Sequence, residues 1–277
     1  MLLALALLAS IDMTAAQRAL SELDAMCNAD RGALWGRSLC GPTVLVEPAT
    51  RDAVTSIDGR IAAAHLPDSI GIANTSVTWN GVEFTMVMWP LPDDPLARRT
   101  LLAHESFHRI QKELGFPSTG PSNTHLDSVD GRYWLRLEWR ALARALETGD
   151  RRAVSDALAF RAKRRAITKS AAEEERLLEM HEGLAEHTGF ALAEPRLGER
   201  SKAIAKQLRS MEMRESFVRS FAYGSGPAWG AVIEKRDPHW TRKATASDDL
   251  GALARKAWNV AAQAPRLALY DAAAVRA

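Results

Sequence analysis

The sequence predicts an α+β fold, mostly α, in which a small antiparallel β-sheet packs on a helical body. Three observations carry this. Strand-like alternation is concentrated in the N-terminal third, on either side of Asn80-Gly81. Helical spacing runs from Pro90 nearly to the end. The composition is rich in Ala, Leu and Arg, all good helix formers. A chain of 277 residues can bury one sizeable core or two small lobes. No internal repeat or low-complexity linker divides it.

The first ten residues, MLLALALLAS, are apolar and uncharged. The run is too short to span a bilayer but has the length of a signal-peptide core, although no Lys or Arg precedes it. Residues 1–12 are therefore read as a signal peptide or truncated leader, which places the protein in the periplasm or outside the cell. The other reading is an N-terminal helix on a cytoplasmic protein. Nothing later is apolar for long enough to form a stable membrane span.

Residues 13–92 read as an N-terminal α/β lobe. Thr14–Met26 has helical spacing of Ala16, Leu20, Leu23 and Met26. Gly32, Gly36, Gly41 and Pro42 then break the chain, and Thr43–Val46 reads as a short strand. Val77–Trp79 and Val82–Met88 flank Asn80-Gly81, a strong hairpin signal because both turn positions need positive φ. Cys27 and Cys40 would form a disulfide in an exported protein and stay buried thiols in a cytosolic one.

Residues 93–277 read as a helical lobe, the two lobes making one compact unit. Its first helix has Asp94 as N-cap, Pro95 at the first helical position, and Gly115 and Pro117 beyond its end. Further helices are expected at Arg132–Leu146, Arg151–Lys169, Ala171–Leu192, Lys202–Arg219 and Leu250–Ala262. Arg161, Lys163, Arg164 and Arg165, interleaved with Ala and acids, read as a solvated helix face. With a net charge of +2 and no aromatic-plus-basic module, no nucleic-acid partner is expected.

The first helix of that lobe carries His104-Glu105-Ser106-Phe107-His108. Two histidines at i and i+4 lie one turn apart on one helical face and can reach a single ion. The intervening Glu105 sits at the edge of that face, where it can take a proton from a zinc-activated water instead of ligating the metal. Catalytic zinc needs a third protein ligand and one open position. Glu182, in His181-Glu182-Gly183-Leu184-Ala185, shares its helical face with small residues and is the preferred ligand. Glu138 is the rival: it falls on the Trp134/Leu135/Leu142 stripe, where a carboxylate needs a metal or a cationic partner such as an arginine.

Residues His104–His108 together with Glu182–Ala185 resemble the gluzincins, the thermolysin-like and aminopeptidase-like zinc metallopeptidases. That family combines HExxH on one helix with a Glu on a later one. The gap between the two helices is longer here than in the aminopeptidases, so a helical insertion must fold out between them. The resemblance implies a zincin-like helical body, one Zn2+ per chain held by His104, His108 and Glu182, and Glu105 as general base. It implies a peptide or protein substrate. It also implies a Tyr or His donor to the oxyanion, for which Tyr223, beside an expected Gly-rich turn at Gly224-Ser225-Gly226-Pro227, is the candidate. His125, Asp127 and Asp130 read as loop and capping residues, and Trp89 and Trp229 as packing anchors. Two other classes stay open: a zinc-binding sensor without turnover, and a helical interaction protein with a fortuitous motif.

Overall fold

The computed structural model describes residues 11–276, so the leader reading of residues 1–12 lies almost wholly outside the described residues. Two compact units emerge, Met1–Ile110 and Gln111–Ala277.

In the first unit, α1 (Met13–Asp30) is capped by Asp12, whose carboxylate accepts from the Thr14 and Ala15 amides. Its buried stripe of Ala16, Ala19, Leu20, Leu23 and Cys27 follows helical periodicity. Five strands, β1 (Thr43–Val46), β2 (Asp52–Ile57), β3 (Arg60–His65), β4 (Thr75–Trp79) and β5 (Val82–Met88), form one sheet in the order β3-β2-β1-β5-β4. The β4–β5 hairpin turns through Asn80 and Gly81 at φ 50° and 76°, as their sequence predicts.

The sheet is mixed where a wholly antiparallel one was expected. β1 runs parallel to β5, with Val44 beside Met86, and antiparallel to β2. Central β1 is buried along its length. Leu45 joins α1 residues, Val87 and Leu102 in one cluster, while Val44 and Val46 join Phe84 and Met86 in another. That two-sided burial explains its unbroken apolar run.

Helix α2 (Pro95–Gln111) starts as expected, the Ala97 amide donating to the Asp94 carboxylate at 2.8 Å. Cys27 and Cys40 form a disulfide. The loop it closes is tied to α2 by Arg109, which donates to the Leu39 and Cys40 carbonyls at 3.1 and 2.9 Å, and by Trp35, whose ring lies 5.0 Å from that of Phe107.

The second unit is helical: α3 (Val129–Thr148), α4 (Arg151–Arg165), α5 (Ala171–Leu178), α6 (Leu184–Ala193), α7 (Leu197–Met211), α8 (Phe221–Glu234), α9 (Leu250–Trp258) and a short α10 (Ala272–Arg276). Ser128 caps α3, and Gly149 ends it at φ 68°. Among the described residues no helix is long and apolar enough to cross a membrane.

Three expectations are corrected. The helix expected over Ala171–Leu192 is interrupted by a π-helical turn at Glu179–Gly183. The helix expected to reach Arg219 ends at Met211. The Gly-rich stretch after Tyr223 is not a turn but part of α8. Its glycines serve packing: a Cβ on Gly226 would overlap the Gly183 backbone, so the two chains approach as closely as backbone allows.

Candidate metal centre

The HExxH segment spans the third and fourth turns of α2, where the pitch of the helix stacks i and i+4 side chains. His104 and Glu105 are almost fully buried and His108 partly so. The two Nε2 atoms lie 3.0 Å apart, and Glu105 Oε1 lies 3.9 Å from His104 Nε2. Ligand atoms of all three residues fall within 4.8 Å of one another. A tetrahedral ion with bonds of about 2.0–2.1 Å separates two nitrogens by roughly 3.3 Å. Imidazole nitrogens with a neighbouring carboxylate suit zinc, so this half of the predicted set fits such an ion. The helix is firmly seated: Leu102, Ala103 and Phe107 are wholly buried, and Ser106 Oγ donates to the Leu102 carbonyl at 2.8 Å.

Glu182 lies in the second unit, inside the π-helical turn, and is 7% exposed. The Tyr223 hydroxyl donates to its Oε2 at 2.8 Å, and Arg219 Nη2 approaches its Oε1 at 3.4 Å. Gln111, the last residue of α2 and the first of this unit, donates its side-chain amide to the carbonyls of Pro117, Met180 and His181 at 2.6, 3.3 and 3.1 Å. Three residues here were not singled out from the sequence: Gln111, His181 and Arg219. Gln111 follows His108 by three positions and Arg219 precedes Tyr223 by four, spacings that could have drawn attention to both.

Glu138 has the cationic partner its position demanded. Its carboxylate accepts from Arg164 Nη1, from Arg161 Nη1 at 3.3 Å and from Trp229 Nε1 at 2.9 Å. Trp229 is thus a packing anchor with a polar handle. These contacts belong to a wider buried network that corrects the expectation of a solvated arginine face. Arg161 and Arg164 are 3% and 0% exposed. Arg161 also binds Glu179 and Asp249, Arg164 binds Glu175, and Arg165 binds Glu175 and Asp249. His125 Nε2 meets Glu175 Oε1 at 2.9 Å.

Electrostatics inside this cluster differ by site. Burial pushes the Glu175 and Asp249 carboxyls up, but the neighbouring guanidiniums overcome it and hold both well below the usual carboxylate range. At Glu179 burial wins over Arg161, and the carboxyl is raised. Asp127, read as a capping residue, accepts from the Phe217 amide at 2.7 Å and the Ser216 hydroxyl at 2.6 Å. His187 is fully buried, with no hydrogen-bond partner on either ring nitrogen among the described residues. Burial, then the Arg200 charge, lowers it to about 3.

No family model matches the chain, and neither the curated proteins nor the solved structures give a match. The gluzincin resemblance therefore rests on residues 104–108 and 182–185 alone.

Proposed function

We propose that the protein is a zinc-dependent hydrolase of peptide bonds, a divergent gluzincin in which His104, His108 and Glu182 hold one ion and Glu105 is the general base. The observation that carries this reading is the convergence of the His104 and His108 Nε2 atoms to 3.0 Å beside the Glu105 carboxylate. Two histidines and one carboxylate leave a fourth position open, the pattern of catalytic sites. Zinc bound there would supply an acidified water and polarise the scissile carbonyl.

The chain's own residues do the rest. Glu105 takes the proton from the attacking water and delivers it to the leaving amine. Tyr223 donates its one hydroxyl proton to Glu182 and so orients it; to serve as donor to the developing oxyanion, the role the resemblance gives it, that hydroxyl would have to turn away from Glu182. Support for Glu182 comes from its burial and from its place in a π-helical turn, a feature frequent at functional sites. Glu138, by contrast, is engaged by arginines. The Cys27–Cys40 disulfide supports a periplasmic or secreted location.

The test is metal analysis joined to turnover. Purified protein is expected to carry stoichiometric zinc and to cleave fluorogenic peptides. Activity should vanish on chelation and return with zinc. Glu105→Gln should keep the zinc and lose turnover by at least about a hundredfold. Protein that takes up no zinc ends the reading; zinc without turnover leaves a sensor or binding module.

A further inference from the structure

Arg219 is held more loosely than Arg132 and Arg140. Arg132 is held at 2.6–3.1 Å by the Arg214 and Glu215 carbonyls and by Asp127, and Arg140 grips the Glu212 carboxylate at 2.8–3.1 Å. Arg219 has two contacts, to the Gly120 carbonyl at 3.3 Å and to Glu182 Oε1 at 3.4 Å. Both exceed the usual range of about 2.7–3.2 Å. Its side chain is half exposed, whereas that of Glu182 is 10% exposed. A guanidinium has five N–H donors in a planar fork, so most of its capacity faces outward beside the carboxylate proposed as the third ligand.

Charge adds a second argument, resting on the proposed zinc site. A divalent cation balanced by Glu182 and Glu105 leaves the Arg219 charge uncompensated. With Glu182 engaged by an ion, the long Arg219 contact would weaken further, leaving the guanidinium available to a substrate group beside the third ligand. The group that compensates it best is another carboxylate, bound bidentately.

We infer that Arg219 is a carboxylate-binding subsite that selects peptide substrates carrying a negative charge next to the cleaved bond. Two chemical sources supply that group: the free C-terminus, which would make the enzyme remove a C-terminal residue, or an Asp or Glu side chain.

The test is calorimetric titration of the zinc-loaded Glu105→Gln protein with three probes: N-acetyl-leucine, the neutral N-acetyl-leucinamide, and the α-amide of N-acetyl-glutamate. At least one carboxylate probe should bind about tenfold or more tightly than the leucinamide. Which one does identifies the source. Adding Arg219→Met should bring the ratio close to one, and Arg219→Lys should restore part of it. Equal binding of all three, or a ratio that survives Arg219→Met, overturns the assignment. Failures are separable: zinc uptake without carboxylate preference removes the Arg219 subsite alone. Carboxylate preference in a wild-type protein that cleaves no peptide removes the hydrolase reading alone. A chain that takes up no zinc removes both.

Discussion

The Tyr223 hydroxyl donates to Glu182 Oε2 at 2.8 Å, joining α8 to the π-helical turn through one hydrogen bond. If Glu182 is a zinc ligand, Tyr223 fixes its orientation. Tyr223→Phe should then weaken zinc binding about tenfold, read by competition with a chromophoric chelator. Unchanged affinity would show that this hydrogen bond does not prepare Glu182 for metal.

Glu138 offers the opposite outcome. Its carboxylate compensates Arg161 and Arg164 in the core, so Glu138→Gln leaves buried positive charge behind. Stability to urea should fall by about 3–5 kcal/mol, while zinc content stays at the wild-type level. A variant that folds normally but loses zinc would restore Glu138 as a ligand.

His187 makes stability depend on pH. The unfolded imidazole takes up a proton below about pH 6.5, whereas the buried native ring, lowered to about 3, resists protonation. Between those values the unfolded state binds more protons, so stability falls as pH falls. From pH 7 to pH 5 this contributes roughly 2 kcal/mol of loss. In His187→Leu that share of the slope should be missing from urea titrations run at the two pH values. An identical slope in both proteins would mean that the ring is hydrated or already charged.

The disulfide closes a loop with a sequence separation of thirteen. Replacing Cys27 and Cys40 by Ser should cost about 3 kcal/mol. Because Arg109 binds the Leu39 and Cys40 carbonyls, reduction should also loosen the end of α2 that follows His108. Amide exchange along α2 with and without reductant checks this; equal protection would separate the loop from the helix.

Features written in local chemistry were legible before the structure. The Asn80-Gly81 turn, the Asp94 cap and the spacing of His104 and His108 each depend on residues within one turn of one another. What escaped depended on partners distant in sequence. The parallel pairing of β1 with β5 joins residues about forty positions apart. The Arg161–Arg164–Arg165 face looked solvated because periodicity records which residues share a side, not what covers it. Gly224, Gly226 and Gly230 signal a turn in isolation, yet in α8 they admit close neighbours, Gly226 the Gly183 backbone and Gly230 the His187 ring. At the candidate site, the motif residues were readable singly. Glu182 needed a structure to show that Tyr223 and Arg219 address its two oxygens.

The π-helical turn at Glu179–Gly183 is equivalent to a single extra residue within an otherwise continuous α-helix. Excising one codon there, Met180 for instance, would let regular winding resume. Since the wide turn already takes up the extra residue, the α-helical segments on either side would keep their facing, and the re-aiming, at about 100° per residue, would fall on the residues of the turn that follow the excision. Glu175 and Glu179 would keep their arginine partners, but Glu182 would face another way. A change of length could therefore remove this carboxylate from its setting with no charged side chain altered.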